Sequence, residues 1–148
     1  MKKISFVIPC YRSALTIGKV VEEIRESMSG LADRYSYEMI LVNDFPADDT
    51  FEVIRKLAEE DSRITGVNLA RNFGQHAALM AGFHYCSGDI AVCLDDDGQT
   101  PADEVGKLLD KLEEGYDVVY AKYNHKQHSA FRNFGSKVNE LMTRFMLG

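Results

Sequence analysis

Short runs of apolar, β-branched residues alternate along this chain with longer stretches whose apolar positions recur every three or four residues. That alternation constrains the fold more than any other feature. Residues 4–9 (ISFVIP) read as a strand closed by a proline, which has no N–H to give a ladder. Residues 16–29 then place Ile17, Val20, Val21, Ile24 and Met28 at helical spacing, and Gly30 ends the run. A second strand is expected over 38–43. A helix over 51–60 follows, capped by Asp48 or Asp49 and carrying Phe51, Val53, Ile54, Leu57 and Ala58. Residues 64–70 predict a third strand and 75–86 a helix of small residues able to pack closely on a sheet. Residues 89–94 predict a fourth strand, 101–114 a helix and 117–121 a fifth strand. Strands separated by helices imply right-handed crossovers, hence an α/β fold with a mostly parallel sheet. No internal repeat or low-complexity run interrupts the pattern.

Size and charge narrow the class further. The 148 residues suit one domain with a sizeable core. Seventeen Lys and Arg stand against 23 Asp and Glu, a formal charge of −6, which argues against nonspecific binding of nucleic acid. Cys10, Cys86 and Cys93 form no CxxC pair, and an odd count closes no disulfide framework, so reduced thiols and a cytoplasmic setting are expected. The apolar run at the start stops at Pro9, too short for a signal peptide or membrane anchor.

The last 25 residues differ in character. After a core expected to span 1–123, residues 124–148 open with a basic-leaning NHKQHS stretch. Phe131, Phe134, Val138, Leu141, Met142, Phe145 and Met146 then line one face of an expected helix, with Arg132, Lys137, Glu140 and Arg144 elsewhere. Two readings stand. The face belongs to a terminal core helix, or it meets a partner, a membrane surface or downstream sequence.

Ligands of open parallel sheets bind beyond the carboxyl ends of the strands. Those ends read Pro9-Cys10-Tyr11-Arg12, Asn43-Asp44, Ala70-Arg71-Asn72 and Asp95-Asp96-Asp97-Gly98-Gln99. Three adjacent carboxylates repel one another unless a positive charge is close. At a strand end, residues two apart share a face, so Asp95, Asp97 and Gln99 are expected together and Asp96 away from them. Two carboxylates and an amide oxygen make a hard-oxygen half-shell suited to Mg²⁺ or Mn²⁺, with water and phosphate completing it. The other reading of the cluster is an acidic, solvated turn before a helix, with Asp103 and Glu104 favouring the helix start.

Other chemistries lack their residues. There is no GxGxxG after the first strand and no GxxxxGK[ST]. An EF-hand counted from Asp95 meets Thr100 where Gly is needed and Gly106 where Glu is needed. His125 and His128 lack a third zinc ligand nearby. No Ser sits in GxSxG, and a buried thiol is the expected role for Cys10. A phosphotransferase with Asp95 as nucleophile would want DxDx[TV], but the fifth residue is Gln99.

Taken together, four segments resemble family-2 glycosyltransferases of the GT-A fold. The likeness is strongest to the branch that loads sugars onto polyprenyl phosphate, which includes dolichol-phosphate mannosyltransferases and bactoprenol glucosyltransferases. FVIPCYRS resembles VVIPVYNE, and ILVNDFPADDT resembles ILVNDGSPDNT. VNLARNFGQHAALMAG is similar to INLSRNFGQxxAxxAG, and GDIAVCLDDDGQTPADEV with EGYDVVYA is similar to GDxVVxMDADLQDPPExI with EGYDVVYG. The match runs in register from residue 4 to about residue 122 and more weakly beyond.

The resemblance implies an inverting transfer from a UDP- or GDP-linked sugar to an acceptor, polyprenyl phosphate in the full-length enzyme. It places Pro9 and Tyr11 beside the base and Asp44 on the base or ribose. Arg71 falls near the nucleotide, and Asp95, Asp97 and Gln99 hold the metal and, through it, the diphosphate. Lys122, Lys126 and Arg132 are candidates for the acceptor phosphate, with solvated charges as their other reading. The family's length beyond this point leads us to expect the donor-binding half of a longer enzyme. Such an enzyme would work at the cytoplasmic face of a membrane, and the apolar terminal helix would drive self-association of the isolated chain. Departures from the pattern stand at Ser13 for Glu, at Phe45-Pro46 for Gly-Ser, and at Asp96 and Gly98 inside Asp-x-Asp-x-Gln. Phe45 reaches positive φ less readily than Gly, so its turn must differ or be strained. A noncatalytic nucleotide-sugar-binding module is the alternative function.

Overall fold

In the computed structural model, which describes residues 1–94, 96 and 105–114, four parallel strands form one sheet in the order β3-β2-β1-β4. The strands are β1 (Lys2–Cys10), β2 (Tyr35–Asn43), β3 (Ile64–Asn68) and β4 (Ile90–Cys93), and the helices between them are α1 (Ile17–Ser29), α2 (Thr50–Glu60) and α3 (Gln75–His84). A further helix, α4 (Val105–Glu113), buries Val105 and Leu109. The chain divides into two compact units, Met1–Asp103 and Glu104–Gly148, and α4 belongs to the second. The fifth strand expected over 117–121 and the amphipathic helix of the carboxyl-terminal stretch lie outside the described residues.

β1 is the hydrophobic axis. Its residues from Ile4 to Cys10 are all buried, as befits a central parallel strand covered on both faces. It pairs with β2 from Lys2↔Tyr35 to Cys10↔Asn43 and with β4 from Ile4↔Ile90 to Val7↔Cys93. The strand therefore continues through Pro9, where the sequence alone suggested it would close. The reason lies in the pairing. The Val7 carbonyl accepts from the Leu94 N–H, so Pro9, two residues on, faces the same side, where β4 has already ended at Cys93. Its missing N–H costs no ladder bond.

The register also sorts the helices. Gly66 of β3 pairs with Leu41, which pairs with Ile8, and a Cβ at Gly66 would lie 2.8 Å from the Ile54 side chain of α2. The neighbouring row faces the other way, where α3 packs. There a Cβ at Gly82 would lie 2.5 Å from Val7 and 3.2 Å from Val42. Small residues thus bring the α3 backbone down onto the sheet, and Ala78 buries against Ile40 and Val42. The helix ends at His84, with Tyr85 and Cys86 closing it through bonds to the Gly82 and Phe83 carbonyls. Ahead of α2 the Asp48 carboxylate accepts from the Thr50 N–H at 3.0 Å in an Asx turn, while Asp49 at the N-cap makes no side-chain cap bond.

A polar clamp pins the start of β4 to β1 at the far end from the strand termini. Glu38 accepts from the Ser5 hydroxyl and from the backbone and hydroxyl of Ser87, and pairs with Lys3 at 3.3 Å. Gly88 donates to Ser5 Oγ at 2.8 Å, and a Cβ there would lie 2.7 Å from the Lys3 carbonyl, so the approach requires glycine.

Candidate functional site at the carboxyl ends of the strands

From β1 the chain moves outward to β2 and β3, then returns to place β4 on the other side of β1. The strand order therefore reverses direction at β1, and the crevice between the ends of β1 and β4 is the topological switch point. Among the described residues, hydrogen bonds tie the ends of β1 and β2 to Asp96 and to the loop before α3.

The end of β2 is polar and buried. Asn43 is fully buried and spans to β3, its amide donating to Asn68 Oδ1 at 2.9 Å, while its own Oδ1 accepts from the Phe45 N–H. Asp44 is 3% exposed. Its N–H donates to the Cys10 carbonyl and its Oδ1 accepts from the Phe73 N–H at 2.9 Å. One oxygen of Asp44 thus ties the loop holding Arg71 to the sheet, while Oδ2 takes no partner among the described residues. None of the buried side-chain polar atoms described there lacks a partner, so Oδ2 keeps some contact with solvent.

Aromatic rings and guanidinium groups form the rim. Tyr11 and Phe73 are about half exposed, at 47% and 50%. The Tyr11 and Phe45 rings meet edge to face with centroids 5.0 Å apart, Arg12 lies over both, and Arg71 lies 4.8 Å over Phe73. Arg25, Arg55 and Arg63 each hold carboxylates, whereas Arg12 and Arg71 have only rings as partners among the described residues. Phe45 does not take the positive φ open to a glycine. The strain sits instead at Arg12, at φ 53, the only described non-glycine residue in the left-handed region.

Asp96 is the described member of the acidic cluster. Its Oδ2 accepts from the Tyr11 N–H at 2.8 Å and from the Ser13 hydroxyl, so its carboxylate is held against the end of β1. Burial, reinforced by that carboxylate, raises the Cys10 thiol well above its ordinary value, which suits the inert packing role expected of it. Asp95, Asp97 and Gln99 lie outside the described residues, as do Lys122, Lys126 and Arg132. Among the described residues no group of three His, Cys, Asp or Glu side chains is placed to hold a metal. The donor chemistry of Asp95, Asp97 and Gln99 fits Mg²⁺ or Mn²⁺, while Asp96 is already engaged by Tyr11 and Ser13. The roles of Arg12, Ser13 and Asp96 were not assigned from sequence; their visible signal was departure from the family pattern at adjoining positions.

Residues 5–147 match glycosyl transferase family 2. The chain belongs to that family. Its relatives include undecaprenyl-phosphate 4-deoxy-4-formamido-L-arabinose transferases. That of Pseudomonas fluorescens (strain SBW25) is 38% identical over 98% of this chain and 42% of its own length. That of Yersinia enterocolitica is 39% identical over all of this chain and 45% of its own length. This family-2 chain thus spans less than half the length of those relatives. Among solved structures, it is similar to a mannosyltransferase from Pyrobaculum calidifontis in complex with GDP-Man and Mn²⁺. The TM-score is 0.66 at 23% identity, covering 88% of this chain and 37% of that one. A mannosyl-3-phosphoglycerate synthase from Rubrobacter xylanophilus gives a TM-score of 0.61 at 18% identity over 79% and 38% of the two chains. These likenesses identify the fold as GT-A. No described helix is long and apolar enough to cross a membrane.

Proposed function

We propose that this family-2 chain forms the donor site of an inverting glycosyltransferase. That enzyme would move a sugar from a UDP- or GDP-linked donor to polyprenyl phosphate. The observation carrying the reading is Asp44, almost wholly buried at the switch point, with one oxygen fixing the Arg71 loop and the other keeping some contact with solvent. A carboxylate oxygen so placed accepts from a base N–H or a ribose hydroxyl. Tyr11 bounds the base on the β1 side, Pro9 being buried within the strand, and Arg71 meets the ribose–phosphate edge with in-plane N–H groups. The relatives' names support a polyprenyl-phosphate acceptor.

Asp95, Asp97 and Gln99 would hold Mg²⁺ or Mn²⁺. When bound, the ion offsets charge developing on the departing diphosphate. The residues of this chain orient the donor so that its anomeric carbon faces the acceptor, and the apolar sheet beneath keeps water from below the crevice. A polyprenyl phosphate is already anionic at neutral pH, so the step calls for no strong general base. Lys122, Lys126 and Arg132 would meet that phosphate. The apolar face of residues 131–146 would lie on the cytoplasmic membrane surface, or against a second copy of the isolated chain. The test is a thermal-shift and calorimetric screen of UDP, GDP and their sugars with and without Mn²⁺. Binding of one nucleotide series is expected, and no binding of either overturns the donor site.

A further inference from the structure

Two of the positions at which this chain departs from the family pattern touch each other. Ser13 stands where the resembling sequences often carry Glu, and Asp96 stands where they carry a small residue. In the structure the Ser13 hydroxyl donates to Asp96 Oδ2, and the Tyr11 N–H is shared between Ser13 Oγ at 2.9 Å and Asp96 Oδ2 at 2.8 Å. Ser13 is 1% exposed, and its surroundings are fixed. Its N–H donates to Thr50 Oγ1 at 2.9 Å, and its carbonyl accepts from the Thr16 and Ile17 N–H groups that begin α1. A Glu at position 13, a place that is 1% exposed, would set a second carboxylate against Asp96. A small residue at 96 would leave the Tyr11 N–H and the Ser13 hydroxyl without their charged acceptor.

We propose that Asp96 is a positioning residue for the donor site, and that it and Ser13 form an exchanged pair. The carboxylate that resembling sequences carry at the end of the first strand is carried here at the end of the fourth. Through the Tyr11 N–H and Ser13, Asp96 holds the turn containing the left-handed Arg12 and sets the Tyr11 ring against Phe45. This inference rests on the donor-site reading, and the experiment separates the two.

Calorimetry with UDP and GDP, each with and without Mn²⁺, is run on wild type, Ser13→Glu, Asp96→Ala and the double variant, alongside melting curves. Each single change is expected to weaken nucleotide binding at least about tenfold with and without Mn²⁺. The double variant is expected to return to within about threefold of wild type, because one carboxylate again serves the turn. A purely structural role would lower melting temperatures while leaving the folded proteins' affinities alone, and that result overturns the proposal. So do additive losses in the double variant. If Ser13→Glu does not fold, Ser13→Ala replaces it. The expected result is then a loss in the wild-type background and no further loss on Asp96→Ala, with equal losses in both overturning the pair. If wild type binds neither UDP nor GDP, the donor-site reading falls. The pair is then judged on melting temperatures, where non-additivity supports it and additivity overturns it.

Discussion

The Arg12 guanidinium carbon lies 4.7 Å from the centre of the Phe45 ring and 5.5 Å from that of Tyr11, with no carboxylate beside it among the described residues. A guanidinium stacked by its face keeps its N–H donors free in its plane, directed at whatever anion enters the crevice. Charge-assisted hydrogen bonds are worth roughly 1.5–3 kcal/mol, so Arg12→Gln should weaken UDP or GDP binding about tenfold. Binding of uridine or guanosine, which lack phosphate, should change little. Equal losses for nucleotide and nucleoside would show that Arg12 serves the base and not the phosphates.

The metal reading has its own signature. A ligand binding only the folded chain adds about 2.7 kcal/mol at one hundred times its dissociation constant. UDP or GDP with Mn²⁺ should therefore raise the melting temperature more than either alone. Asp97→Asn, which keeps shape and removes a charge, should shrink that gain. Identical shifts with and without Mn²⁺ would remove the metal from the site.

Two glycines should respond with opposite signs. At Gly82 a new Cβ would fall 2.5 Å from Val7 on the central strand, so Gly82→Ala should cost about 1–3 kcal/mol. At Gly18, inside α1, a Cβ would meet nothing within 4 Å, so Gly18→Ala should stabilise by about 0.5–1 kcal/mol. Urea denaturation of both variants checks the pair, and a neutral Gly82→Ala would contradict the close seat of α3.

Acid should reveal the ion cluster beneath α1. Hydrogen bonds from Arg63 and Arg25 hold the Asp61 carboxyl well below the usual carboxylate range, in spite of its burial. A depressed folded-state value means the contribution is complete above the unfolded value and is lost as pH falls through the folded one. Asp61→Asn should therefore cost about 2 kcal/mol at pH 7, and the gap to wild type should narrow below about pH 4. A gap of constant size down to pH 2 would refute this assignment.

The alternation of strands and helices was legible because each apolar run must be buried on a definite face, and the register follows from that need. Gln75–His84 could be read as a close-packing helix from its small residues alone. The continuation of β1 through Pro9 could not, because it depends on where another strand, β4, comes to an end. At the site, Asp44 and Tyr11 stood out by type and position. The bond from Ser13 to Asp96 joins residues 83 apart, and no local pattern encodes it. Nor does sequence show that the φ strain expected near Phe45 falls on Arg12, since that depends on how the turn is held from β4.

The strand order also carries a kinetic cost. Of the four described strands β1 is made before the others, yet its β4-side edge has no partner among them until residues 90–93 have been made. At about 5–20 residues per second, that edge waits roughly 4–16 seconds after Cys10 has been made. Throughout that interval an apolar strand offers open backbone groups to any neighbouring chain, the circumstance in which edge-to-edge aggregation begins. The nascent chain is therefore vulnerable until β4 is made, and the clamp of Lys3, Ser5 and Glu38 upon Ser87 and Gly88 is the event that covers that edge of β1.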